Sequence, residues 1–377
     1  MLNDYVVRKL RVFPRRLSLV HNHPMHTALT TLLGIRYPLI QAPMAGSQGS
    51  ALALAASRSG ALGSLPCALL SPEALTRELQ TLQADPQQPV NINFFCHKPP
   101  EPDPAQDARW RAKLAPYFDE AGLDIQTVST GAGRVPFSHT VADLIEPFRP
   151  PIVSFHFGLP APDLLARVKA WGAVVIASAT TVEEALWLEA HGADAVIAQG
   201  LEAGGHRGMF LTDDVTTQVS TFALVPQVVS AIRLPVIAAG GIASADGVRA
   251  AMALGASGVQ VGTAYLCSDE ALTSAVHRQA LQNPAARHTT LTNVFSGRPA
   301  RGIVNRVVRE LGGLCPAAPA FPLATAAIAP LRAHWEAQGS GEFSPLWSGQ
   351  NATGCQSLSA AAITQQLLQG FDPPCLS

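Results

Sequence analysis

Three times in this chain a Gly-Ala pair closes one patterned segment and opens another: Gly172-Ala173-Val174-Val175, Gly192-Ala193-Asp194-Ala195-Val196 and Gly255-Ala256-Ser257-Gly258-Val259. A glycine that stops a helix, followed at once by an apolar run, is the joint of a repeated helix-then-strand unit. Short apolar runs bounded in this way are strands buried on both faces, which means a parallel sheet covered by helices. Such runs fall at Leu39 to Met44, Gly60 to Leu65, Val90 to Phe95, Pro151 to Phe157, Ala173 to Ala177, Ala195 to Ala198, Pro235 to Ala239 and Val259 to Leu266. Helix signals lie between them: Ala51 to Ser59, a helix opened by Ser71-Pro72-Glu73, an amphipathic helix at Ala105 to Ala121, another after Thr181, and stretches at Leu224 to Ile232 and Val248 to Leu254.

About eight strands before residue 270 is the number that closes a (β/α)8 barrel, so the expected fold class is α/β, a TIM barrel. An open doubly wound sheet is the rival, and it usually carries G-x-G-x-x-G after its first strand. The first loop here, Pro43 to Gly49, lacks that spacing. After Leu266 the pattern turns helical, with helices expected at Asp269 to Gln282, Thr325 to Ala337 and Ala360 to Leu368 and a loop at Gly297 to Gly302. The expected domains are therefore a barrel over residues 25–266 and a C-terminal helical appendage over 267–377 that caps its mouth on the substrate side. Residues 1–24 carry Arg8, Lys9, Arg11, Arg15 and Arg16 against Asp4, and read as a disordered basic arm or an upstream start.

Composition narrows the partners. Of the 377 residues 47% are hydrophobic and 14% charged, which is enough for a large core and unlike a disordered chain. A formal net charge of -1 leaves no electrostatic footprint for nucleic acid, and no apolar run is long enough to span a bilayer. The six cysteines are scattered, without a C-x-x-C pair or zinc spacing, so reduced thiols, a cytoplasmic setting and no metal are expected.

The segment from Ala198 to Gly208 holds four glycines together with Gln199, Glu202, His206 and Arg207. It follows an apolar run directly, which is how a buried strand delivers reactive groups onto a loop at its carboxyl end. Gly240-Gly241 and Val261-Gly262-Thr263 end the last two runs, in the region where barrels commonly bind phosphate through backbone amides. With Gln199 and Gly204 they suggest a phosphate-bearing cofactor across the barrel mouth. No carboxylate pair, Ser-His-Asp set or metal cluster stands at these strand ends, so cofactor redox chemistry is favoured over hydrolysis. His206 is the candidate for moving a proton or holding an anion. His156 competes for that role, and Glu202 could orient either imidazole. Asn91 and Asn93 interrupt a strand, which points one or both at a ligand or a turn. Arg298 and Arg301 read first as solvated loop cations, with anion recognition as the sharper alternative.

These stretches resemble the nitronate monooxygenase family, in its bacterial and fungal first class. The likeness rests on Gln41-Ala-Pro-Met-Ala-Gly46, Asn91-Ile-Asn-Phe-Phe-Cys-His97, Val153-Ser-Phe-His-Phe-Gly-Leu-Pro160 and the Ala198 to Gly208 segment. Gly240-Gly-Ile242, Gln260-Val-Gly-Thr-Ala-Tyr-Leu266, Phe295-Ser-Gly-Arg-Pro-Ala-Arg301 and Leu346-Trp-Ser-Gly-Gln350 extend it. The resemblance implies an FMN-dependent barrel that oxidises alkyl nitronates such as propionate 3-nitronate with O2 to a carbonyl compound and nitrite, a detoxification. It implies FMN contacts at Ala42, Pro43, Met44, Asn93, Gln199, Gly204, Gly240, Gly241, Gln260, Val261, Gly262 and Thr263, and a catalytic His206. An NAD(P)H-dependent FMN reductase of the quinone or enoyl reductase kind is the alternative on the same barrel.

Overall fold

The computed structural model describes residues 25–128 and 134–372. The reading of residues 1–24 lies outside them. Eight parallel strands form one sheet: β1 (Leu39–Gln41), β2 (Gly63–Pro66), β3 (Val90–Phe95), β4 (Ile152–His156), β5 (Val174–Ala179), β6 (Ala195–Gln199), β8 (Val236–Ala239) and β9 (Gly258–Val261). Their order is β1-β9-β8-β6-β5-β4-β3-β2. A parallel bridge between Ile40 and Leu62 joins the two ends, with Leu62 N donating to Leu39 O and Gln41 N to Leu62 O, each at 2.8 Å. The sheet thereby closes into the expected α/β barrel.

Alternation along each strand sorts the side chains. On β3, Val90, Ile92 and Phe94 pack outward against Leu75 and Leu79 of the helix Pro72–Gln83. Asn91 and Asn93 point inward, where Asn91 Nδ2 donates to Ser64 Oγ at 3.0 Å and Asn93 Nδ2 to Ser154 Oγ at 2.9 Å. The barrel interior is thus graded. Ile40, Leu62, Ile152, Ile176, Ile197 and Ile237 form an apolar layer, sealed at the amino-terminal end by Leu29 and Leu33 of the helix Ala28–Leu33. Polar strand residues gather above it at the carboxyl end. The three repeat glycines carry the conformation that ended each helix, with φ of 90° at Gly172, 97° at Gly192 and 95° at Gly255.

Several boundaries differ from the sequence reading, four of them with a consequence for the fold. β1 stops at Gln41, before the proline. β9 stops at Val261, because Gly262 turns the chain into the short 3-10 helix Thr263–Cys267. The helix expected from Asp269 starts only at Ala275, where Ser274 caps it; the residues before are tied to other elements, Asp269 N to Leu358 O and Leu272 N to Ser47 O. The stretch read as a Gly297 to Gly302 loop ends in a strand, β11 (Ala300–Ile303), which pairs antiparallel with β10 (Thr289–Thr292) and with β7 (Gly205–His206).

The C-terminal region contains the expected helices Ala324–Ala337 and Ala360–Leu368 alongside this small sheet. The first packs on the helix Pro104–Ala121, with Ile328 and Leu331 against Leu114 and Phe118 and Trp110 Nε1 donating to Ala324 O at 3.3 Å. The second returns to the barrel wall, where Thr364 Oγ1 lies 2.9 Å from Tyr265 Oη. Among the described residues no helix is long and apolar enough to cross a membrane.

Candidate active site

A chamber of about 180 Å³ opens at the carboxyl ends of the strands, where barrel chemistry resides. Ala42, Pro43 and Met44 enter it from the turn after β1, Asn93 from β3, and Gln199 and Gly204 from β6 and the loop beyond. Gly240 and Gly241 line it after β8, and Gln260, Gly262 and Thr263 around the end of β9. Val261 stands apart from this group. Strand alternation turns its side chain outward into the layer beneath the helices, where it is 1% exposed, although its carbonyl accepts from Ala42 N at 2.8 Å.

His206 lies on the two-residue strand β7, in register with Ala300 of β11. Its Nε2 is 2.9 Å from Ser296 Oγ, and its ring centroid is 5.3 Å from that of Phe321 and 5.5 Å from that of Trp347. Its carbonyl is held twice, by Gln199 Nε2 at 3.0 Å and by His156 Nε2 at 3.2 Å. Because a carbonyl only accepts, His156 carries its proton on Nε2, and its Nδ1 accepts from Ser178 Oγ at 3.1 Å. Burial lowers the His156 pKa to about 3. Burial, followed by the charges of Arg134, His156, Arg298 and His97, holds His206 well below its ordinary value. Both imidazoles are neutral near pH 7. His156 is thereby placed as a brace on the main chain of β7, with His206 facing the aromatic side of the chamber.

Gln199 spends both ends of its amide on the same loop, since Oε1 accepts from Gly208 N at 2.7 Å. Beneath it Arg207 is fully buried, its guanidinium donating to Gln218 Oε1 at 2.8 Å and to the carbonyls of Gly200 and Gln199 at 2.7 Å each. Glu202 orients neither histidine. Its carboxylate accepts from Thr221 N at 2.7 Å and Thr221 Oγ1 at 2.8 Å, where it meets the start of the helix Thr221–Ala231.

Arg298 and Arg301 are not solvated cations. Arg301 is 4% exposed and its Nε donates to Leu201 O at 2.8 Å; Arg298 stacks 4.3 Å over the Phe157 ring and donates to Met209 O. Both tie the β10–β11 hairpin to the catalytic loop. Several chamber residues were not singled out for a role by the sequence: Ser154 and Ser178 lie within β4 and β5, Trp347 and Gly349 within a motif of the resemblance that carried no assigned role, and Arg134 and Asn351 in segments without periodicity. Asn351 Nδ2 donates to Gly241 O at 3.1 Å and Gly349 N to Thr263 Oγ1 at 3.0 Å, so a C-terminal strap spans the glycine turns. Among the described residues no aspartate or glutamate lines the chamber, and no group of histidines, cysteines and carboxylates could hold a metal.

A closed parallel barrel with a polar chamber at the strand carboxyl ends defines the class: an α/β-barrel enzyme. Residues 26–370 match the sequence profile of the nitronate monooxygenase family. The chain is 40% identical to a nitronate monooxygenase of Pseudomonas aeruginosa over 92% of its own length and 99% of that protein, and 41% identical to one of Paraburkholderia phytofirmans over 90% and 93%. The structure of a nitroalkane oxidase from Streptomyces ansochromogenes superposes with a TM-score of 0.83 at 34% identity, covering 92% of this chain and 98% of that one. The chain belongs to the nitronate monooxygenase family, and it is an oxidoreductase.

Proposed function

We propose that this enzyme oxidises short alkyl nitronates of the propionate 3-nitronate kind with O2, yielding a carbonyl compound and nitrite, with FMN as its cofactor, and so removes toxic nitronates. The observation that carries this reading is a neutral imidazole facing a chamber with an arginine and no carboxylate, which suits an anionic substrate.

The residues present fit FMN. Gln260 lines the chamber and its Oε1 is buried without a hydrogen-bond partner, an acceptor suited to an N–H edge of a flavin ring. Among the described residues the N–H groups of Gly241 and Ile242 find no main-chain acceptor, which suits a phosphate. Ala42, Pro43, Met44, Asn93, Gln199, Gly204, Gly240, Gly241, Gln260, Gly262 and Thr263 would hold the cofactor, with Val261 contributing main chain only. When bound, FMN accepts the electrons and carries the reaction with O2.

The protein supplies position and proton control. The bond to Ser296 occupies His206 Nε2, which leaves Nδ1 as the nitrogen available to a substrate. From a neutral nitroalkane Nδ1 would take the carbon-bound proton; a nitronate has already lost it, and there the imidazole orients the anion. Phe95, Phe321 and Trp347 exclude water from the reacting end. Residues 267–372, through the β10–β11 hairpin and the strap, would supply the substrate-side wall.

Anaerobic mixing of the purified protein with propionate 3-nitronate and, separately, with NADH tests this. Bleaching of a flavin spectrum by the nitronate alone is the expected result. Bleaching by NADH without response to nitronate would replace this reading with a reductase.

A further inference from the structure

Among the described residues the only guanidinium lining the chamber belongs to Arg134, and it has no carboxylate within ion-pair distance. Its Nη1 donates to Thr325 Oγ1 at 3.2 Å, one of five N–H donors. Burial pushes its pKa down and no acidic neighbour offsets the shift. A half-buried guanidinium that faces a chamber with no carboxylate beside it, and with donors to spare, is suited to an anionic ligand.

The surroundings indicate which ligand. The Phe321 ring lies 5.3 Å from the His206 ring and 5.3 Å from the Arg134 guanidinium carbon, so the imidazole and the cation flank one aromatic residue. Phe95, which lines the chamber, extends the apolar wall beside them, with its ring centroid 6.2 Å from that of Phe321. A small molecule whose reacting carbon meets His206 would run a short hydrocarbon tail along these rings and end at the guanidinium fork.

Building on the nitronate reading, we propose that Arg134 is a specificity-determining residue: it binds a carboxylate at the far end of the substrate, making the enzyme selective for nitronates that carry a second negative charge. A planar fork matches a carboxylate through two parallel hydrogen bonds, which a neutral alkyl tail cannot make.

The test compares propionate 3-nitronate with propyl 1-nitronate, which differ in the carboxylate alone, in the flavin-loaded wild type, Arg134→Gln and Arg134→Lys. In Arg134→Gln, kcat/KM for propionate 3-nitronate should fall about 10- to 100-fold through KM, the scale of a lost charge-assisted bond. The value for propyl 1-nitronate should stay within about twofold. Arg134→Lys should recover part of the loss by restoring the charge without the fork. An equal fall for both substrates would mean that Arg134 serves the nitronate group or the fold, and no fall would mean that it serves neither; each overturns the proposal.

Equilibrium binding of 3-nitropropionate and 1-nitropropane, followed by flavin absorbance, gives a reading without turnover. The carboxylate should tighten binding to wild type by about tenfold or more. Equal affinities overturn the proposal even if the glutamine variant fails to fold. If wild type turns over neither nitronate, the proposed function fails, while the binding comparison still decides the role of Arg134.

Discussion

His206 owes its chemistry to what surrounds it. An exposed imidazole titrates near pH 6.5; here burial and nearby cations hold it neutral well below that. The expected consequence is a rate for nitroalkane oxidation that shows no loss of activity from protonation of this group between about pH 8 and pH 6, checked by the acid limb of the kcat/KM profile. His206→Asn should keep its flavin and lose at least about 10²-fold in turnover of neutral nitroalkanes, the scale of a removed general base. Normal turnover in that variant would move the role elsewhere. His156 is poorly placed to inherit it, since both ring nitrogens are already engaged, with Ser178 and with the carbonyl of His206. The sequence put His206 first and left His156 as its competitor. The hydrogen bonds gave His156 a different task, because they come from partners 22 and 50 residues away.

At the scale of elements, the site depends on a loop that has become a strand. Gly205 and His206 read as part of a glycine-rich turn, and alone they would be one; β11 pairs with them and fixes the direction of the imidazole. Gly204 sits where a Cβ would come within 2.5 Å of Gly349 N, so the loop and the C-terminal strap touch main chain to main chain. Gly204→Ala should therefore displace the strap, with most of the flavin lost on purification and the far-UV circular dichroism unchanged. Retained flavin would show that the strap is not needed to hold it. Arg207 supports the loop from below. Arg207→Gln leaves buried carbonyls without donors and should cost about 3 kcal/mol in urea unfolding. A change below about 0.5 kcal/mol would show that water or a rearrangement replaces the guanidinium.

For the molecule as a whole, buried imidazoles set the acid limit. His156 titrates at about 3 and His277 at about 4 in the folded chain, both lowered mainly by burial, against about 6.5 when unfolded. Between those values the unfolded chain binds protons that the folded chain does not, so stability is complete above about pH 6.5 and drains away as the pH falls toward the folded values. The thermal midpoint should drop by a few degrees between about pH 6.5 and pH 5, a window above the range of most carboxylates. A flat midpoint across that window would contradict the buried, neutral assignment. The sequence alone determined the barrel, because short apolar runs, helix caps such as Ser71 and Thr181, and helix-ending glycines are all written within a few neighbouring residues. It also placed the glycine turns and His206 at the strand ends, where a closed parallel sheet must put its chemistry. Tertiary structure alone decided what surrounds His206: Ser296 reaches it across 90 residues of sequence, Phe321 sets its ring 5.3 Å from the imidazole, and Arg134 arrives from a segment with no periodicity. Local spacing records which face of an element is apolar; it does not record which distant loop will cover that face, and that choice follows from packing.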